Sequence, residues 1–111
     1  MEWEIKETDW KLFRQLQLIA LERLSKQIIS EVNLISSNTE NTFHQRYLDV
    51  FGLIQSQNEN ISRTFDNPRR STALMKLAAI RSQYLITDDE FNRFSEETRA
   101  RIKILIGSDR V

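Results

Sequence analysis

The sequence predicts an all-α protein, a bundle of four or five helices. Glycine occurs only twice and proline once in 111 residues, so turns are few and long helices are favoured. Apolar residues recur at steps of three and four over long stretches, which is the period of an amphipathic helix. With 40% hydrophobic and 29% charged side chains the chain is able to bury a core, and we expect one helical domain over residues 1–111.

The first six residues alternate between apolar and polar side chains, with Met1, Trp3 and Ile5 as the apolar positions. Period two predicts a short extended N-terminal arm. The alternatives are that this arm lies on the helices, that it pairs with its own copy in a dimer, or that it forms an early first turn of helix 1. No second strand is readable for it to join.

Helix 1 is predicted over about residues 9–36, with Thr8 or Asp9 as its N-cap. Its apolar positions form one stripe along the helix: Phe13, Leu16, Ala20, Leu24, Ile28, Val32 and Ile35. Leu12, Ile19 and Leu21 widen this stripe. So broad an apolar face predicts that two neighbouring elements contact helix 1.

Helix 2 is predicted over about residues 40–65, with Asn38 or Thr39 as its N-cap. Its stripe contains Phe43, Tyr47, Val50, Ile54, Ile61 and Phe65. Asn58 falls on this stripe, where an apolar residue is expected. Either the helix is partly exposed there, which we favour, or Asn58 is buried and fixes the register of packing. The short loop makes helices 1 and 2 an antiparallel hairpin.

A shorter hairpin, over about residues 68–84 and 88–106, is predicted to cover the first. Asn67 is the expected N-cap of helix 3, with Pro68 at its first helical position. The last segment is either continuous or broken near Ser95, and Gly107 is placed to end it.

The acidic run of the segment LITDDEF, residues 85–91, predicts a helix start at residue 88 rather than a metal site. Thr87 and Glu90 have the spacing of a capping box, and Ile86 and Phe91 that of a hydrophobic staple. Asp88 and Asp89 would sit in the first turn, where the helix dipole favours negative charge. The spacing of a calcium-binding loop is absent.

Helix lengths predict a partner protein. Helix 1, at about 28 residues, would be about 42 Å long, and helices 3 and 4 are too short to cover the whole hairpin. An uncovered apolar stripe implies a partner, most commonly a second copy, so we expect a homodimer. The candidate partner-binding residues are Trp3, Ile5 and Trp10, as aromatic and apolar anchors, with Arg69 and Arg70, whose charge conflicts with the dipole of helix 3.

Several classes of function are not indicated by the sequence. There is no cysteine and only one histidine, His44, which is expected on the surface near a helix start. Nucleophile motifs, glycine-rich phosphate loops and zinc spacings are not readable, so we expect no enzyme, no catalytic or metal-binding residues and no cofactor. The longest apolar runs, such as Leu18–Leu21, are far short of a membrane span. The lack of cysteine and of a secretory signal predicts a cytoplasmic protein.

The expected function is therefore a small soluble protein-interaction module, an adaptor or regulatory subunit that acts through helix faces. The alternative is a nucleic-acid-binding, helix-turn-helix-like protein, because residues 63–111 carry a net charge of +3 whereas residues 1–62 carry −3. Its basic contacts would be Arg93, Arg99, Arg101 and Lys103. The three acidic residues at the start of the would-be recognition helix oppose this alternative, so nucleic acid is not the expected partner.

Overall fold

Five α-helices and one 3-10 turn make up the computed structural model, which describes residues 4–107. Within that range there is no strand, so the predicted all-α bundle is confirmed. The elements are α1 (Glu7–Ser36), α2 (Phe43–Phe65), the 3-10 turn (Arg70–Thr72), α3 (Ala73–Ser82), α4 (Asp88–Phe91) and α5 (Glu96–Ile106). Helices α1 and α2 form the long hairpin, and α3 packs against α1, α2 and α5.

Helix α1 begins two residues earlier than predicted, and neither Thr8 nor Asp9 is its N-cap. Lys6 occupies the cap position without a side-chain cap hydrogen bond. Asp9 lies inside the helix, where its buried carboxylate accepts hydrogen bonds from α5 instead. Of the predicted arm, residues 4–6 precede α1 with a bend at Glu4, and Ile5 is buried in the core. The arm therefore lies on the helices over its described residues.

The loop between the long helices is longer than predicted, because α2 begins at Phe43 and not near residue 40. The N-cap is Thr42, whose hydroxyl accepts a hydrogen bond from the N–H of Gln45 at 3.0 Å. Asn38 caps no helix; its side chain accepts a hydrogen bond from the N–H of Glu40 within the loop. The Arg46 guanidinium also donates to two loop-side carbonyls, which belong to Ser36 and Asn41.

Helix α3 begins at Ala73, five residues later than predicted. Asn67 is not its N-cap but has φ 50°, a left-handed conformation that asparagine tolerates better than most residues. The chain then makes the 3-10 turn before α3 begins, which leaves α3 only 10 residues long. The turn aims Arg70 at the start of the chain, where its Nε donates to the carbonyl of Ile5 at 2.9 Å.

Helix α3 ends in a Schellman motif centred on Tyr84. The N–H of Leu85 donates to the carbonyl of Ile80 at 3.2 Å, and the N–H of Tyr84 donates to that of Arg81 at 3.0 Å. Tyr84 has φ 59°, at a position that glycine or asparagine usually occupies. The reversal brings the LITDDEF segment back against α1 and α3.

The last part of the fold follows the predicted boundaries. Helix α4 begins at Asp88 with Thr87 as N-cap, and the segment is broken so that Ser95 is the N-cap of α5. Gly107, with φ 106°, is the C-cap of α5. Ile86 and Phe91, the predicted staple residues, are both buried.

The hydrophobic core lies at one end of the molecule. Its largest fully buried side chains are Phe13, Leu74, Leu77, Ile80, Leu85 and Ile102. By contrast, no residue from 29 to 63 is buried, and Asn58 is exposed, as favoured from the sequence. The molecule measures 54 × 27 × 22 Å, and its radius of gyration of 16.7 Å exceeds the value of about 13 Å for a compact domain of this length. The far half of the hairpin, residues 29–56, therefore extends beyond the shorter helices, whereas Asn60, Ile61 and Arg63 still contact α3 or the core.

Candidate functional site

The four predicted partner-binding residues within the described range, Ile5, Trp10, Arg69 and Arg70, do not form one open surface. Trp3 lies outside the described residues. Ile5 is 3% exposed and packs in the chain's own core. Trp10 is half-buried and stacks on Phe13, with ring centroids 5.7 Å apart. Ile5 and Trp10 therefore contribute to the core of this chain rather than to an open surface.

Arg69 and Arg70, the two predicted basic contacts, differ in exposure and in hydrogen bonding. Arg69 is exposed, whereas Arg70 is half-buried and donates its Nε–H to the backbone of Ile5. Arg70 also borders a depression of 270 Å³ whose other lining residues are Glu4, Ile5, Lys6, Glu97, Thr98 and Arg101. Carboxylates stand beside the cations there, and Glu97 pairs with Arg101 at 2.8 Å. Three basic and two acidic residues line it, and this mixture of charges does not select an anionic ligand.

Within the LITDDEF segment, Glu90 contacts both the start of its own helix α4 and the side of α1. Its Oε1 accepts hydrogen bonds from the N–H of Thr87 at 2.8 Å and from Arg23 of α1 at 2.7 Å. Its Oε2 accepts a second bond from the same guanidinium at 2.9 Å. The Arg23 hydrogen bonds, with the Thr87 backbone, lower the pKa of Glu90 to about 2 against the burial that would raise it. The capping box was predicted, and the arginine pair was not.

A second arginine holds the same segment from α3. Arg81 is buried, and its guanidinium donates to the carbonyl of Ile86 at 3.1 Å and to Asp88 at 2.5 Å. It also lies 4.6 Å from the centroid of the Phe91 ring. Two of the three acidic side chains are thus paired within the chain. Among residues 4–107, no group of three or more histidine, cysteine or acidic residues is placed to hold a metal ion.

The basic C-terminal helices do not have the geometry of a helix-turn-helix reader. The helix that begins at Asp88, which would enter the major groove, is only 4 residues long. The Arg99 Nε–H donates to the carbonyl of Phe94, and Arg101 pairs with Glu97. Arg93 and Lys103 are exposed. One helical turn that carries three acidic side chains is a poor match to the DNA groove.

The exposed apolar side chains of α2 make the most unusual surface of the molecule. Phe43 is 83% exposed, Tyr47 63% and Phe51 57%, and Ile54 follows at 37%. Their spacings of four, four and three residues place them along one helix face. We call these four residues the apolar row. They lie in the far half of the hairpin, which the shorter helices do not cover.

Side-chain contacts already order part of the apolar row. The guanidinium of Arg46 lies 4.3 Å from the centroid of Phe43, and His44 stacks on Tyr47 at 6.0 Å. A shallow depression of 280 Å³ runs beside these rings, lined by Ser36, Phe43, Arg46, Tyr47 and Val50. Contacts of this kind reduce the conformational entropy that Phe43 and Tyr47 would lose on binding a partner.

The surroundings of the apolar row carry little net charge. Between residues 43 and 54 the charged side chains are Arg46 and Asp49, with His44 as the only other basic group. Across the loop, Leu34 of α1 is 72% exposed, and Ile29 is 58% exposed. The far half of the hairpin thus presents apolar side chains on both helices.

Comparisons of the chain with protein-family models, curated proteins and solved structures found no match. Within residues 4–107, none of the helices combines the length and the apolar character that a membrane crossing requires.

Sequence reasoning found part of this surface. The predicted stripe of helix 2 includes Phe43, Tyr47 and Ile54, and part of the hairpin's apolar stripe is expected to stay uncovered, but these residues are not among the predicted partner-binding ones. Phe51 was missed because Val50, one residue earlier, fits the same stripe. In the structure Val50 is half-buried, whereas Phe51 is exposed. The signal that could have found it is the even spacing of aromatic residues at 43, 47 and 51.

Proposed function

We propose that this protein is a small interaction module, an adaptor or regulatory subunit, that recognises protein helices through the apolar row. The observation that carries the proposal is the run of three exposed aromatic rings on one face of α2. Aromatic residues, phenylalanine and tyrosine among them, are enriched at protein interfaces, and tyrosine is also enriched among their hot spots.

The size of the exposed surface supports an interface. The exposures of Phe43, Tyr47 and Phe51 together equal about two whole aromatic side chains, or roughly 300–500 Å². Apolar patches of that size on a monomer are often functional. Phe43–Ile54 covers three turns of helix, so an amphipathic helix lying along α2 is a fitting ligand.

Among the possible partners we expect a second copy of this chain, which would make the protein a homodimer. Two copies could each bury the apolar row of the other, which would cover the part of the hairpin that the shorter helices leave open. The sequence has no cysteine, so the protein does not depend on disulfides for its stability. This accords with action in the cytoplasm, where disulfides are rare.

A photo-crosslinking experiment tests the proposal. A photoreactive amino acid replaces Leu48, which is exposed beside the apolar row, and in a control variant it replaces Ile104 of α5, which is 81% exposed. We expect discrete protein adducts in the native lysate from position 48, resistant to nuclease and lost in the double variant F43S/F51S. If position 48 gives no adducts, or the same adducts as position 104, the proposal is wrong.

A further inference from the structure

We propose that the apolar row binds the same row of a second copy, antiparallel, with a two-fold axis passing beside Tyr47. This inference rests on the proposed function and names its partner. Phe43 and Phe51 stand four residues on either side of Tyr47. In an antiparallel helix pair with the axis at residue 47, Phe43 of each copy meets Phe51 of the other, and the two Tyr47 side chains meet at the axis.

The symmetry of the row suits a two-fold dimer. Such an interface uses the same surface on both copies, so that surface must be complementary to itself. An evenly spaced set of rings, Phe43, Tyr47 and Phe51, reads the same in both directions along the helix. An unrelated partner would impose no such symmetry on the row.

The area of the row is close to what a stable dimer needs. A standard interface buries about 800 Å² on each partner, and about 65% of a homodimer interface is apolar, or roughly 500 Å². The three rings supply roughly 300–500 Å² of this, again taken from the area of an aromatic side chain. Ile54 and Leu48, both exposed beside them, add to the same surface.

Single-cysteine variants test the geometry, because the natural sequence has no cysteine. Under mild oxidation or with a short bismaleimide, Y47C is expected to form a covalent dimer by itself. F43C and F51C are each expected to fail alone, since the antiparallel pair separates the two copies of either residue by about 12 Å along the helix. A mixture of F43C and F51C is expected to cross-link.

A second pair keeps all three rings in place. In this register residues 44 and 50 lie at the same height along the helix pair, on opposite edges of the row, so a short bismaleimide is expected to cross-link H44C mixed with V50C more than either variant alone. The control is I104C on α5, which is expected to show only the low yield of random collision. Self-linking of every row variant would show a parallel dimer and overturn the arrangement, and yields no higher than that of I104C would overturn the dimer.

Sedimentation equilibrium separates this inference from the proposed function. The unmodified protein is expected to be a dimer whose association constant falls at least about a hundredfold in F43S/F51S, because the variant removes two central rings from each copy. The matched control, L18S/I104S, removes two exposed apolar side chains elsewhere and is expected to leave the constant unchanged. A monomer that still gives adducts with other proteins from position 48 would overturn the dimer alone, and a monomer without adducts would overturn both.

Discussion

Glu90 is the residue on which the turn between α3 and α4 depends. It completes the capping box with Thr87, and it holds both donor nitrogens of Arg23, which belongs to α1. One carboxylate therefore starts a helix and also fastens the last part of the chain to the first. Charged hydrogen bonds of this bidentate kind are stronger than neutral ones.

We expect E90Q to lower the free energy of unfolding by about 1–2 kcal/mol near neutral pH, because the charged pair with Arg23 is lost. The measurement is urea denaturation followed by circular dichroism. The control is D89N, since Asp89 is exposed in the same first turn. Equal stability of E90Q and D89N would show that the Arg23 pair contributes nothing.

The same residue sets a pH dependence. The pKa of Glu90 is about 2 in the folded chain against an ordinary value of 4.5, so the folded state binds this proton less readily than the unfolded state. Its stabilising contribution is complete above about pH 4.5 and is lost as the pH falls towards about 2. The stability difference between the natural protein and E90Q should therefore shrink over that interval. A difference that stays constant from pH 7 to pH 2.5 would contradict it.

Local residue pairs could be predicted from the sequence, and distant ones could not. Thr87 and Glu90 are three residues apart, a spacing that itself defines the capping box. Arg23 is 67 residues from Glu90, and nothing in its neighbourhood distinguishes it from other surface arginines. Tyr84 likewise gives no sign of its left-handed backbone, because glycine or asparagine is the usual signal.

Among the secondary-structure elements, the start of α1 depends on a contact with α5. The Asp9 carboxylate accepts hydrogen bonds from the Ser95 N–H at 3.0 Å, the Ser95 hydroxyl at 2.6 Å and the Thr98 hydroxyl at 2.7 Å. A cap residue and a buried acceptor look the same in a sequence, since aspartate suits both. The helix therefore begins before Asp9, contrary to the prediction.

We expect D9A to destabilise the protein by about 2–4 kcal/mol, because it leaves three donors at the start of α5 without their acceptor. The control is E7A, which removes an exposed carboxylate from the same helical turn. Thermal melts of both variants provide the comparison. A D9A melting temperature equal to that of E7A would show that α5 finds other partners for these groups.

The helix starts that follow a loop, those of α2 and α3, were the least predictable features of the fold. Both Thr39 and Thr42 are possible N-caps by residue type, and the structure uses Thr42, next to the loop in which Arg46 binds the carbonyls of Ser36 and Asn41. The late start of α3 follows from the left-handed backbone of Asn67, which a sequence pattern does not reveal. By contrast, Gly107 was sufficient to place the end of α5, and the break near Ser95 is one of the two alternatives that the sequence left open.

For the whole molecule, the fold class followed from composition and period, because scarce glycine and proline and a repeat of three and four residues leave few alternatives. The excess length of the hairpin also followed from helix lengths. The face left uncovered could not be predicted, since a difference of one residue between Val50 and Phe51 decides which side chain turns outward.

One end of the molecule contains the hydrophobic core, and the far half of the hairpin contains no buried residue. This difference predicts that the two ends differ in local stability. In hydrogen exchange at a concentration where the protein is monomeric, amides of residues 29–36 should exchange faster than those of residues 13–28 in the same helix. The reason is that only the latter range contains buried residues. Protection of the far half should then rise with protein concentration if copies associate there. Uniform protection along α1 in the dilute monomer would contradict the prediction.

The position of the core also decides how the molecule would be oriented when it is attached near its first or last described residue. Ile5, near the first described residue, and Ile106, near the last, both pack on the core, while the loop at residues 37–42 lies at the opposite pole. A fluorophore, a bead or a solid support attached at residue 4 or at residue 107 would be tethered at the same pole. Anchored in that way, every copy would direct its hairpin loop away from the attachment point and leave the apolar row accessible.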